Sequence, residues 1–418
     1  MRNDILANIN APKELETLYR KNRSLFKREF SSLYPEVAAN SIAMCWKERL
    51  DHERSGISWG SGNELGFIVI ASLLAGTIAK APEFLPFKED FFYPRNISFI
   101  VFPFLMTYFA WRNALKPARI AFAAIATGIA CIFINAFPGT IDGSAGSDTL
   151  LLSCIHLPLF LWAVLGFTFV GGERKDLGRR IDFLRYNGDL VVITTLILIA
   201  GALMTGLTLA LFSLIDIQIM DFYMPYVVVY GLAAAPIVGT YVIQSNPQLV
   251  NAVSPVIAKI FSPLILITLA VYLAAMLYSG KDPYNDREFL LTFNLLLIGV
   301  MTIILFSVAG AARSASSKVG TLILLLLAVL TIAVNGIALM AILFRISEWG
   351  ITPNRLSVLG GNVLILTNLL IVTYKLSMAV LRGSGNECVE RSIAQFLPIY
   401  SLWTVVVVFV FPFVFGFD

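Results

Sequence analysis

This chain of 418 residues has little charge, few cysteines and almost no histidine. Charged residues make up 14% of the sequence and hydrophobic residues 57%, a balance far outside that of soluble domains. Four cysteines are too few for a disulfide framework. His52 and His156 are the two histidines, too few for a histidine-based metal or proton-relay site. We therefore expect reduced thiols, no bound metal and no cofactor.

Familiar catalytic motifs are missing as well. The sequence contains no G-x-x-x-x-G-K loop, no H-E-x-x-H and no paired C-x-x-C. Gly56–Gly60 matches G-x-S-x-G, but that motif needs a preceding strand, and no strand-rich region is present. Gly139–Asp148 lacks the spacing of a calcium loop, and we interpret it as a flexible loop. No feature indicates binding to nucleic acid.

Long apolar runs dominate the rest of the chain. Most of them reach the roughly 20 residues needed to cross a hydrocarbon core. The second run is short and is broken by Pro103. The pattern predicts an all-α, polytopic transmembrane bundle of about 11 helices over residues 63–418. The runs lie near residues 64–80, 97–111, 119–137, 149–171, 190–214, 223–244, 256–279, 288–311, 319–343, 357–379 and 395–416.

Residues 1–62 are polar and predict a cytoplasmic, basic, amphipathic helical segment. Two interpretations stay open. Such a helix can lie on an anionic membrane surface, or the segment can pack as a helical hairpin on the ends of the bundle. The residues that recur at helical spacing are Leu15, Leu18, Tyr19, Phe26, Phe30 and Leu33.

The distribution of lysine and arginine predicts the orientation, because cytoplasmic loops carry an excess of both. With the N-terminus inside, the inner segments hold 24 of the 31 basic residues and the outer segments hold 7. This asymmetry places the C-terminus outside. It also favours an odd number of spans.

One stretch between two apolar runs, Phe344–Leu364, concentrates polar side chains where lipid penalises them. Thr352 precedes Pro353, which favours a turn. The pair Gly360 and Gly361 allows close approach of a neighbouring helix. The candidate binding residues in the first part of the stretch are Arg345, Glu348, Thr352, Asn354 and Arg355.

Arg355 has no nearby acidic residue in the sequence. It therefore needs a distant partner or an anionic ligand, and a guanidinium suits carboxylate or phosphate. Arg345 and Glu348 are three residues apart and can pair on one helical turn. The alternative is a clamp between the two flanking helices, with Arg355 paired to Glu348 or Asp216.

Further polar residues fall in the predicted outer halves of the spans. Asn335 and Asn362 are added to the candidate substrate-binding residues on this ground. Together with Arg355 they predict an outward-facing polar crevice. The alternative is that these side chains lie at helix ends or hydrogen-bond between helices. The group also includes Asn135, His156, Asp216, Asp221 and Asn294.

The segment WGITPNR, Trp349–Arg355, resembles the YG[IL]TxNR signature of a bacterial family of polytopic membrane proteins of unknown function. Trp349 stands where tyrosine is more usual. The resemblance covers about a dozen residues, including the preceding arginine and acidic residue. It implies a multi-pass protein of the bacterial cytoplasmic (inner) membrane and supplies no activity.

Three function classes remain. The first is a transporter or flippase for a small anionic or lipid-linked substrate, with the bilayer and an anionic lipid as partners. The second is a membrane-embedded enzyme that acts on a lipid-linked substrate, for which the acidic residues show no diagnostic spacing. The third is a non-catalytic sensor or scaffold. The broken helices around Pro225, Pro236, Pro255 and Pro263 favour the first, and the oligomeric state is not indicated.

The orientation is testable by cysteine labelling in a chain whose native cysteines are removed. Single cysteines at Ser144 and Asp418 should react with an impermeant thiol reagent added to intact cells, because both are predicted outside. A cysteine at Arg180 should be protected. Labelling at Arg180 would contradict the orientation, and an unreactive Asp418 would contradict an odd number of spans.

Overall fold

The computed structural model describes residues 2–21, 23–52, 62–139, 147–171, 176–213, 218–246, 262–271, 273–274, 287–311, 318–382 and 387–417. Helices account for nearly all of these residues, and no strand lies among them. The predicted all-α fold is confirmed. The chain divides into two compact units, residues 1–59 and 60–418, whereas the predicted boundary fell after residue 62.

The first unit contains four helices: α1 (Arg2–Ala7), α2 (Pro12–Lys21), α3 (Arg23–Val37) and α4 (Ser41–His52). Its core is largely aromatic, and Phe26 lies within 5.7 Å of both the Phe30 and the Trp46 rings, measured between centroids. The buried members are Ile5, Leu15, Tyr19, Phe26, Phe30, Leu33, Ala43, Trp46 and Leu50.

Local contacts explain how this unit holds together. Asn40 caps α4, because its Oδ1 accepts hydrogen bonds from the backbone N–H groups of Ile42 and Ala43. Arg49 pairs with Glu16 at 2.6 Å. The apolar stripe noted in the sequence lies almost entirely in this core, and its side chains are therefore covered by the unit's own helices.

The second unit contains the long apolar helices. Their bounds are α5 (Gly62–Ala79), α6 (Ala81–Phe84), α7 (Glu89–Asn96), a 3-10 helix (Ile97–Ile100), α8 (Phe102–Arg112), α9 (Pro117–Ala136), α10 (Asp148–Val170), α11 (Leu177–Ser213), α12 (Met220–Ser245), α13 (Ser262–Val271), α14 (Arg287–Ala311), α15 (Lys318–Trp349), α16 (Pro353–Arg382) and α17 (Glu387–Val414).

Eight of these helices are long and apolar enough to cross a membrane, namely α5, α9, α10, α11, α12, α15, α16 and α17. The chain is therefore a multi-pass integral membrane protein. Shorter apolar helical segments lie at Ser262–Val271 and Leu297–Val308. The predicted run at residues 97–111 is the 3-10 helix followed by α8, with Pro103 in the first turn of α8. The count of eleven spans and the sides of the two termini stay predictions.

Two hydrophobic cores organise the second unit, and α11 belongs to both. Phe183 and Tyr186 pack with α5, α8, α9, α10 and α12 in the first core. Ile181 and Leu184 pack with α13 to α17 in the second. Because these residues alternate along one helix, α11 joins the two cores, and Trp162 on α10 also packs against both.

The aromatic core of the first unit is testable in the full chain. Phe26→Ala should make residues 1–59 sensitive to limited proteolysis, because deleting a buried phenylalanine costs about 3–5 kcal/mol. Leu6→Ala is the matched control, since Leu6 is 46% exposed, and should leave the digestion pattern unchanged. Equal resistance of Phe26→Ala and the wild type would contradict the described core.

Candidate functional site

The candidate site lies at a break between two long helices. α15 ends at Trp349 and α16 begins at Pro353. Gly350 has a φ of 77°, in the left-handed region that favours glycine after a helix end. Its N–H donates to the carbonyl of Ile346 at 2.9 Å. The turn that Thr352-Pro353 predicted is therefore present, and it reverses the chain from α15 into α16.

Arg355 holds this break closed. Its Nη1 donates to the carbonyl oxygens of Trp349 and Gly350, both at 2.8 Å. These are carbonyls that the end of a helix leaves without an intrahelical donor. At the start of α16, Oγ1 of Thr352 accepts a hydrogen bond from the Arg355 N–H at 3.3 Å, as an N-cap does. The same arginine therefore joins the end of one helix to the start of the next.

Two guanidiniums lie near the Trp349 ring. The guanidinium carbons of Arg345 and Arg355 each lie 5.7 Å from its ring centroid, within the range of a cation–π contact. Trp349 is 52% exposed. Glu348 is exposed and Asn354 half-buried. Asp216, the other acid considered for Arg355, lies outside the described residues.

The two candidate asparagines form a separate, buried group with Asn294. The Asn335 side-chain amide donates to the backbone carbonyl of Asn362 at 3.2 Å, and the Asn362 amide donates to Oδ1 of Asn294 at 3.0 Å. Asn335 is fully buried and Asn362 is 3% exposed. Oδ1 of Asn335 is buried without a hydrogen-bond partner among the described residues. We call these three residues the asparagine group.

The predicted site residues thus fall into two places. Arg345, Glu348, Thr352, Asn354 and Arg355 lie at the break, and the asparagine group lies deeper among α14, α15 and α16. Asn362 follows Arg355 by seven residues, two helical turns on the same face of α16 and roughly 10 Å along its axis.

Gly360 makes a close approach to α17. A Cβ atom built on it would lie 2.1 Å from the Trp403 ring, whereas Gly361 faces open space. The helix packing that the glycine pair predicted therefore depends on the first glycine.

Two polar clusters elsewhere in the second unit were missed by the sequence reasoning. Glu64 on α5 accepts hydrogen bonds from Tyr108 and from Arg112, the latter at 2.7 Å. Arg112 also donates to the carbonyl of Gln244 on α12 at 3.3 Å. This cluster ties three helices together. Glu64 and Arg112 each lie at the end of an apolar run, where the sequence alone suggests a residue at the membrane interface.

The second missed cluster surrounds Lys80, whose side chain is 1% exposed. Its Nζ pairs with Glu83 at 2.6 Å, donates to the carbonyl of Pro225 at 3.2 Å and lies 3.6 Å from the Tyr226 ring centroid. Residues 223–228 are π-helical. The nearby tyrosines and Pro225 were the available signal, but Lys80, just after the end of α5, is 145 residues away from Pro225 in sequence.

Comparison with protein-family models, with curated proteins and with solved structures found no match. Among the described residues, no group of three or more His, Cys, Asp or Glu side chains could hold a metal ion.

The capping role of Arg355 is testable by thermal melting in detergent. Arg355→Gln should lower stability by roughly 1–3 kcal/mol, the contribution of hydrogen bonds from a charged group. Glu348→Gln should neither lower stability nor rescue the Arg355→Gln variant, because the acceptors are backbone carbonyls. Lys375→Gln, which removes a cation elsewhere on α16, is the control. Rescue by Glu348→Gln would instead identify that acid as the partner.

Proposed function

We propose that this integral membrane protein is a transporter or flippase for a small anionic or lipid-linked substrate. In this proposal the substrate enters at Arg355 and passes to the asparagine group. The proposal includes the orientation with the N-terminus inside, membership of the YG[IL]TxNR family and a place in the bacterial inner membrane.

The observation that carries the proposal is that Oδ1 of Asn335 has no hydrogen-bond partner in the part of the chain that the structure describes. It is buried in a core that is otherwise built from residues such as Leu327, Val334 and Ala338. A buried polar atom without a partner costs free energy, and polar residues within membrane spans commonly mark substrate paths. A transported polar group or water would supply the missing hydrogen bond.

Arg355 supports the same conclusion. Both of its hydrogen bonds to carbonyls come from Nη1, and its Nε and Nη2 donate to no other described residue. Arg355 is half-buried, so its side chain is not fully covered at the break. Nε and Nη2 can bind a carboxylate or phosphate while Nη1 keeps the helix ends together.

The described structure closes the path between these two places, because Asn335 and Asn362 are buried. Transport therefore requires α15 and α16 to separate near the break. Gly350, whose added Cβ would meet nothing within 4 Å, leaves space for such a movement. Gating by the movement of one helix group against another is the usual basis of alternating access.

A second candidate function is a membrane sensor or scaffold. It is favoured by residues 1–59, which form a compact unit with a core of their own. A unit of this kind can bind a soluble partner without any path through the bundle. Loss of transport on mutation of the asparagine group would favour the first function over this one.

The transport proposal is testable in proteoliposomes. Two probes are compared: a phosphatidylglycerol with a fluorescent headgroup, followed by dithionite bleaching, and radiolabelled inorganic phosphate, followed by uptake. The protein should accelerate the movement of at least one probe. Arg355→Gln and Asn335→Leu should each lower that rate about tenfold, the effect of losing one charged or buried hydrogen bond.

Asn368→Leu is the matched control. Asn368, also on α16, is another buried asparagine whose Oδ1 has no partner among the described residues, but its amide donates to Tyr400 on α17 and not within the asparagine group. This variant should keep the wild-type rate. No acceleration with either probe, or equal losses in all three variants, would contradict the proposed path.

A further inference from the structure

A groove of about 230 Å³ lies between α10, α11 and α17, well apart in the chain from the break and the asparagine group. Its walls are mostly apolar and include Trp162, Gly166, Phe183 and Pro398. Arg180 lines it as well and is half-buried. In a membrane-spanning bundle such a groove faces lipid, and an apolar occupant is the one that it suits.

A glycine on α10 and a proline on α17 shape this groove. Gly166 brings α10 close to α11, because a Cβ built on it would lie 2.9 Å from the Phe183 ring. Pro398 has no N–H to donate to the carbonyl of Ala394. Arg180 Nη1 donates to that carbonyl instead, at 3.0 Å. The proline therefore places a guanidinium at the edge of an apolar groove.

The end of α10 that adjoins the groove carries further positive charge. Arg119 donates to the carbonyl of Gly171, and Arg179 donates to that of Val170 at 3.4 Å. Val170 is itself a groove residue. Guanidiniums thus gather at one end of the groove, while the opposite end, at Trp162, lies eight residues or roughly 12 Å further along α10.

The far end of the groove has no need of a polar occupant. The Trp162 indole N–H donates to Oδ1 of Asn187 at 2.9 Å, and the Ser401 hydroxyl donates to the carbonyl of Leu397 at 3.1 Å. Both polar atoms that line this end are therefore already bonded within the protein. The groove is positive at one end and apolar along the rest.

We propose that the groove binds one anionic phospholipid, with an acyl chain along α10 and the phosphate at Arg180. Arg180 has contacts within the protein, that with Ala394 among them. A guanidinium has five N–H donors in a planar fork, so the same side chain can hold such contacts and bind a phosphate as well. The leaflet in question is the one on the side of the membrane where α10 ends and α11 begins. This site does not depend on the transport proposal, which concerns α14, α15 and α16.

The site is testable by native mass spectrometry of the full chain in detergent, titrated with phosphatidylglycerol or phosphatidylcholine of identical acyl chains. The wild type should bind one phosphatidylglycerol about tenfold more tightly than phosphatidylcholine. Arg180→Gln should abolish that preference. Lys116→Gln, which removes an exposed cation outside the groove, is the matched control and should keep it.

Three additional measurements keep the result interpretable. Ala163→Phe fills the groove and should weaken both lipids, which tests the chain position without touching the arginine. Arg180→Lys keeps the positive charge and should keep part of the preference. It separates loss of the charge from loss of the α11–α17 contact, which Arg180→Gln alone does not. Glycerol 3-phosphate, a headgroup without a chain, should not compete. Unchanged preference in Arg180→Gln, unchanged binding in Ala163→Phe, or full competition by glycerol 3-phosphate would each overturn the site.

Discussion

The constraint on which this bundle depends is that the last carbonyls of a helix have no donor within the helix. Water satisfies them in a soluble protein, but a hydrocarbon core offers no substitute. This chain supplies arginines from neighbouring segments. Arg95 is 2% exposed and donates to the carbonyls of Ile134, Phe137 and Gly139 at the end of α9. Arg355 does the same at the end of α15.

The same arrangement recurs at other helix ends. Arg119 and Arg179 donate to the end of α10, and Arg112 donates to the end of α12. A cation at a helix C-terminus also interacts favourably with the helix dipole. Each such arginine fixes one helix end against the next element, which explains how long helices with apolar faces keep one arrangement in lipid, where the hydrophobic effect does not select it.

Sequence reasoning predicted the helices well and the partners of their polar residues poorly. Length and hydropathy decide where a span lies, so α9, α10, α15 and α16 fall close to their predicted runs. The partners of the polar residues cannot be predicted in this way, because many acceptors are backbone carbonyls, which every residue type carries. For Arg355 the sequence suggested a carboxylate or an anionic ligand, whereas the described contacts are two carbonyls of its own turn. The buried asparagines were found as candidates, but their hydrogen bonds across α14, α15 and α16 were not foreseeable without a fold.

Backbone acceptors also change what can be inferred about function from an arginine in a membrane span. An arginine with no acidic residue nearby in sequence is not by itself a ligand-binding residue, since a helix end can hold it. A ligand-binding arginine differs from a structural one in the N–H donors that its contacts with the protein leave unused. Arg355 uses one nitrogen for the carbonyls and lies two helical turns along α16 from Asn362. The Asn362 carbonyl accepts from Asn335, whose Oδ1 no described residue satisfies. Arg95, by contrast, donates from two of its nitrogens to three carbonyls and is almost fully buried. Arg355 therefore keeps N–H donors that can bind an anion. Arg95 uses its donors to stabilise the fold.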